Sequence, residues 1–225
     1  GACVIGIGNG GKLETIAKRF IRLPEIPQPR IAVGYLFLPM IIILHNAGLL
    51  KNNLQEEIKE SLDVLKALSN ILTSGNNISL NIAMDLHNRI PLVYTQERLA
   101  PIAYRLVTQI NENAKTFAFY QTIPEQNHNE LNAIDVNKRT DLSAIFIRDE
   151  FEHEKTKKRM EYLKRIMIKN NIRMHEIKTR GKTLLSRMLS AIYISDFLSY
   201  YLALLYGIDP MPVPAIKRLK EHMKA

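Results

Sequence analysis

Ile90-Pro91-Leu92-Val93-Tyr94 is a short apolar run, rich in branched and aromatic residues and too brief for a helix, so it reads as a buried strand. Residues 99–109 then carry a helical apolar period, and residues 116–122 return to a strand-like, aromatic-rich pattern. A strand, a helix and a second strand in that order imply a parallel crossover, because a tight hairpin leaves no room for the helix between its strands. Outward from this unit the alternation continues. Residues 78–86 read as helix, 144–147 as a short buried strand, 154–170 as a basic helix, 173–178 as an alternating strand and 184–206 as a long apolar helix stopped by Gly207. The expected fold is α/β: an open parallel sheet flanked by helices, with both faces covered.

Toward the N-terminus the organisation changes. Ala2-Cys3-Val4-Ile5-Gly6-Ile7 reads as a buried strand running into Gly8-Asn9-Gly10-Gly11 and a helical stretch over residues 12–19, as though a sheet were already under way. With no initiating Met and no signal-peptide pattern, the expectation is a fragment of a longer polypeptide. The stretch Gly6-Ile7-Gly8-Asn9-Gly10-Gly11 fits G-x-G-x-x-G, but no acidic residue follows at the distance a dinucleotide ribose requires, so a plain tight turn is the favoured reading. Residues 23–29 hold three prolines and mark a boundary. Residues 31–50 are almost wholly apolar; Pro39, His45 and Asn46 argue against a membrane span and for a buried core helix. Residues 54–72 show amphipathic spacing and end at Thr73-Ser74-Gly75-Asn76-Asn77.

Composition excludes several classes. At 225 residues, 46% hydrophobic and 24% charged, the chain is neither disordered nor fibrous. A single cysteine, Cys3, rules out an internal disulfide framework and makes a reducing, cytoplasmic setting the default. Lys and Arg number 31 against 22 Asp and Glu, which favours acidic partners without choosing among them. The basic run His153-Glu154-Lys155-Thr156-Lys157-Lys158-Arg159 is interrupted by carboxylates and lacks aromatic stacking partners, so it reads as a solvated helix face and not as a nucleic-acid site.

The densest polar cluster is Asn111-Glu112-Asn113-Ala114-Lys115, followed by Pro124-Glu125-Gln126-Asn127-His128-Asn129-Glu130. One lies where a helix gives way to a strand and the other just beyond that strand. Loops there would project Glu112 and His128 at an end of the sheet, and a carboxylate with an imidazole in one cleft suits proton transfer beside a carbonyl. The same residue types also cap helices and fill turns. Metal binding is disfavoured, since His128 has no ordered histidine partner.

These two motifs, with the ending Tyr201-Leu202-Ala203 through Gly207-Ile208-Asp209-Pro210 to Ile216-Lys217-Arg218-Leu219-Lys220, resemble the bifunctional phosphoglucose/phosphomannose isomerases, dimers whose subunits hold two sugar-isomerase (SIS) domains. Pro29-Arg30 resembles the family's Pro-Arg segment at the connection between those domains. The resemblance implies a flavodoxin-like SIS fold: residues 1–29 as the closing remnant of a first SIS domain, 30–75 as a helical connection and 76–225 as a complete second domain. It implies aldose–ketose isomerisation of hexose 6-phosphates, glucose 6-phosphate or mannose 6-phosphate to fructose 6-phosphate, without a cofactor. Glu112 would shuttle the proton between C1 and C2, and Arg30 would steady the enediolate. His128, shared across a homodimer, and Lys220 would assist ring opening. The family's Ser-Tyr-Ser-Gly-Asn-Thr type phosphate loop does not occur in these residues, which allows that the chain alone is inactive. A non-catalytic phosphosugar-sensing SIS module is the alternative reading. A third, a nucleic-acid or membrane-surface protein, rests on charge and the apolar run alone.

Overall fold

A computed structural model describes residues 4–224, so the Gly1, Ala2 and Cys3 end of the first expected strand lies outside the described residues. The chain divides into two compact units, Gly1–Glu56 and Glu57–Ala225.

In the first unit β1 (Ile5–Gly8), α1 (Lys12–Ile16) and β2 (Arg19–Arg22) form a small crossover, with the two strands parallel and Ile5 opposite Arg19. The turn between β1 and α1 needs glycine: Gly10 and Gly11 have φ of 111° and 77°. Sequence reading carried the helix to residue 19; the chain instead leaves it at Ala17 and builds β2. Past the prolines a single turn, Pro29–Ile31, leads to α2 (Val33–Asn46). The expected buried core helix is corrected here. Among the described residues α2 buries none of its side chains fully, and Tyr35, Met40 and Leu44 are exposed. It is apolar on every side, and a two-stranded sheet can cover only one of them.

The second unit takes in most of α3 (Leu54–Leu72) and then α4 (Ile78–Leu86), whose first turn is capped by Asn77 accepting from the Leu80 amide. β3 (Ile90–Gln96), α5 (Ala100–Gln109), β4 (Phe119–Ile123), α6 (Glu130–Asp135), β5 (Leu142–Arg148), α7 (Glu154–Lys169), β6 (Arg173–Lys178), α8 (Leu184–Leu205) and α9 (Pro214–His222) follow. The four strands are parallel in the order β4-β3-β5-β6.

Chain direction reverses at β3, moving out to β4 and then back across to β5 and β6. Right-handed crossovers therefore put α5 on one face of the sheet and α6 and α7 on the other. The cores have that distribution. Val93, Ile145, Ile147 and Ile177 point toward α3, α4, α5 and α8, while Tyr94, Ala144 and Phe146 point toward α6 and α7. α8 is the one helix among the described residues long and apolar enough to cross a membrane; Ile194, Leu198 and Leu202 on it are buried in the first core.

Candidate active site

The helix α5 does not stop at Gln109. Ile110–Ala114 continue it as one π-helical turn, and Lys115 leaves that turn in the left-handed conformation at φ 54°. A π turn inserts an extra residue and rotates the side chains that follow, which is why such turns recur at functional sites. Glu112 sits in this one, half-buried. Its neighbours are fixed. Asn113 Nδ2 donates to Ser199 Oγ of α8 at 2.9 Å, and Asn111 Nδ2 donates to the Thr116 carbonyl at 2.7 Å. The Lys115 ammonium donates to the Glu112 carbonyl oxygen and, at 3.3 Å, to that of Pro210 in the turn leading to α9.

His128 closes a short helical turn, Glu125–His128, just beyond the carboxyl end of β4. The turn is anchored from beneath: Gln126 is fully buried, and Tyr94 Oη donates to Glu130 Oε1 at 3.1 Å. Burial pushes the Glu130 carboxyl above the usual carboxylate range, although its bond with Tyr94 acts the other way. His128 itself is exposed at this rim.

These positions correct the expectation of one cleft. In a parallel sheet a crossover helix returns to the amino ends of the strands, so the end of α5 delivers Glu112 to the amino end of β4, whereas His128 follows its carboxyl end. Within one chain the strand lies between them. Lys220 is exposed in the last turn of α9, a helix with no buried residue among those described. Arg30 belongs to the first unit, where its Nη1 donates to Gln28 Oε1 at 3.4 Å.

A cavity of about 610 Å³ opens at the carboxyl ends of β5 and β6. Arg148, which sequence reading passed over, spans its floor. Nε and Nη2 bind Glu152 at 2.8 and 2.7 Å, and Nη1 binds Glu161 at 2.7 Å and Glu176 at 3.1 Å. Every nitrogen of that guanidinium is engaged by a carboxylate, so the arginine is a strut and not a phosphate anchor. The available signal was its place at a strand end before Asp149-Glu150. A second cluster also went unread: Asp85 accepts from His175 Nε2 at 2.7 Å and pairs with Arg173. Burial opposes ionisation of Asp85, but the His175 and Arg173 partners outweigh it and hold the carboxyl below its ordinary range. Among the described residues no three His, Cys, Asp or Glu side chains gather as a metal site.

Residues 76–223 match the family described as the bacterial phospho-glucose isomerase C-terminal SIS domain. A curated relative from Caldicellulosiruptor bescii, named bifunctional phosphoglucose/phosphomannose isomerase, is 30% identical over 99% of this chain and 69% of its own length. The chain belongs to this family. A phosphoglucose/phosphomannose isomerase from Thermoplasma acidophilum is 32% identical, over 99% of this chain and 68% of the relative. Among solved structures, a glucose-6-phosphate isomerase like protein from Thermus thermophilus aligns with a TM-score of 0.63 at 22% identity, covering 91% of this chain and 69% of that one. That likeness concerns the fold, which is the α/β SIS architecture expected from the strand and helix alternation. The family assignment read from the Asn111-Glu112-Asn113-Ala114-Lys115 and Pro124-Glu125-Gln126-Asn127-His128-Asn129-Glu130 motifs is thereby borne out, and the protein is a member of a sugar-phosphate isomerase family.

Proposed function

We propose that the chain supplies the base and its second SIS domain to a hexose 6-phosphate isomerase acting on glucose 6-phosphate, mannose 6-phosphate or both. The observation that carries this is the half-buried Glu112 on a π turn pinned to α8 and to the Pro210 turn. Glu112 removes the proton from C2 of the open-chain aldose phosphate. The C–H electrons form the C1–C2 double bond of an enediolate, with negative charge on O1; the O2 hydroxyl proton passes to O1, and the same carboxyl returns the carbon-bound proton to C1 as the C2 carbonyl forms, giving the ketose. Arg30 opposes the oxyanion charge. His128 and Lys220 move protons between the ring and C1 oxygens as the sugar ring opens, with His128 contributed by the other subunit of a homodimer. No step in this sequence calls for a cofactor.

In this reading residues 1–29 end a first SIS domain, 30–75 connect, and 76–225 form the second domain. A first SIS domain holds the phosphate, and the single cysteine suits a reducing cytoplasm. The test is a coupled assay for fructose 6-phosphate from each aldose phosphate, using this chain and a version bearing a complete first SIS domain. Glu112→Gln should lower kcat by about 10²- to 10⁴-fold with little change in KM. Undiminished turnover would overturn the assignment of the base, and absence of activity in both versions would favour the sensing module.

A further inference from the structure

A groove of about 430 Å³ lies between α4 and β6 and shares no residue with Glu112, His128, Lys220 or Arg30. β6 pairs with β5 alone among the described residues, and His175 and Glu176 both border the groove although neighbouring strand residues face opposite ways, so it follows the open edge of β6. His175 shares the face of Ile177, toward α4. There its Nε2 donates to Asp85 Oδ2 at 2.7 Å, and Asp85 is held in turn by Arg173 and by Ser143 Oγ at 3.4 Å. These bonds fix the imidazole and leave Nδ1, an acceptor in the neutral ring, for a ligand. One turn before Asp85, Asn81 Nδ2 donates to Asn76 Oδ1 at 3.1 Å, which leaves the Asn76 amide hydrogens and the Asn81 oxygen. At the far end the Arg180 backbone amide donates to Ser190 Oγ at 2.7 Å, while its guanidinium meets no carboxylate among the described residues. Glu176 is already bound by Arg148 at 3.1 Å and Lys164 at 2.8 Å.

We propose that this groove is a second ligand site, apart from the carboxylate at 112, for a small phosphorylated polyol: Arg180 takes the phosphate, and His175, Asn76 and Asn81 read the hydroxyls. The chemistry of the two ends selects the class. A guanidinium with no carboxylate of its own matches a phosphate oxygen pair. The other end offers two acceptors, the His175 Nδ1 and the Asn81 oxygen, beside one amide donor, and a hydroxyl-bearing carbon chain can both give and receive there. Isoleucines of α3 and α4 line the groove between them and suit the carbon-bound hydrogens of such a chain. No phenyl, phenol or indole ring borders it, so a nucleobase finds nothing to stack on. The volume falls within the range of small-molecule sites, about 300–1,000 Å³. The inference does not rest on the catalytic role of Glu112, because none of these residues takes part in that reading.

The test is a nuclear magnetic resonance titration of the His175 ring, its signals assigned by their loss in His175→Gln, with fructose 6-phosphate, inorganic phosphate and free fructose as separate probes at millimolar concentrations. Fructose 6-phosphate should shift the His175 signals saturably, inorganic phosphate more weakly and free fructose least. Arg180→Ala and Asn81→Asp alter exposed side chains and should leave the circular dichroism spectrum unchanged. The first should weaken the response to fructose 6-phosphate by about 10- to 100-fold, the range for losing a hydrogen bond to a charged group, and the second should weaken it by placing a like charge beside the ligand. In Glu112→Gln the His175 shift should persist at the same affinity. A silent His175 ring, a response that Arg180→Ala leaves untouched, or one that disappears in Glu112→Gln overturns the second site. A response to inorganic phosphate as tight as that to fructose 6-phosphate overturns the hydroxyl reading, since Arg180 alone would then account for the binding.

Discussion

Asn113 and Ser199 stand 86 positions apart in the chain and are joined by a buried hydrogen bond of 2.9 Å from the Asn113 amide to the Ser199 hydroxyl. Ser199 in turn donates to the Asp196 carbonyl at 2.8 Å, so the π turn is tied to the backbone of α8 through one relay. The residue between two pinned neighbours, Glu112, takes its orientation from them. Asn113→Ala should destabilise the fold by about 1–3 kcal/mol, the range for breaking a buried polar pair. It should also lower kcat more than it raises KM. Ser199→Ala should do the same, and the double variant should be little worse than either single one, as chemical denaturation and the isomerase assay would show. Additive effects would mean that the bond does not hold the turn.

Lys115 separates backbone strain from tethering. At φ 54° a β-carbon is unfavourable, by about 1 kcal/mol for a non-glycine residue. Lys115→Gly and Lys115→Ala both remove the ammonium that binds the Glu112 and Pro210 carbonyls. Gly relieves the strain and Ala retains it. The Gly variant should therefore melt above the Ala variant, while both lose kcat. If the lysine acted only through its backbone, Lys115→Gly would be fully active.

The strands and long helices were legible because their signals are periodic. Residues 173–178 and 78–86 begin and end where apolar spacing sets them, and the βαβ order alone implied the parallel sheet. What escaped notice departs from the regular periods. A π turn has no signature at a spacing of 3.6, so the sequence reading ends the helix at residue 109 and takes the 111–115 motif as a loop before the strand, and the strand expected from 116 starts at Phe119 because Lys115 turns the chain first. Glu112 and His128 were found as residue types, but their separation by β4 is a property of parallel topology. α2 misled because apolar composition reports what a helix can bury, not whether its own unit supplies a surface to bury it against.

Arg148 should be the most sensitive charged residue to truncate. Its guanidinium holds Glu152, itself nearly without solvent contact, together with Glu161 and Glu176. Arg148→Ala would leave the buried Glu152 with only the Asp149 amide as partner, while Glu161 and Glu176 keep Lys164, and should destabilise by about 3–5 kcal/mol. Arg148→Met, which fills the volume, combined with Glu152→Gln should recover a good part of that loss. Equilibrium unfolding in urea would distinguish them. Equal stability of Arg148→Ala and the wild type would show that the cluster is solvated in solution.

Glu130 supplies a pH test for the turn that carries His128. Burial raises its folded pKa above the unfolded value of about 4.3, against the opposing bond from Tyr94. Between the two values the native state binds more protons than the unfolded chain, so this group's contribution to stability falls as pH rises through that window. Below the window it is fully present. Glu130→Gln keeps an oxygen to accept from Tyr94 and removes the titration. Melting temperatures of the two proteins should run closest at about pH 4 and separate as pH rises toward neutrality, with the Gln variant the higher. Parallel curves across that range would mean that the carboxyl is hydrated and that the turn beneath His128 is looser than its buried Gln126 implies.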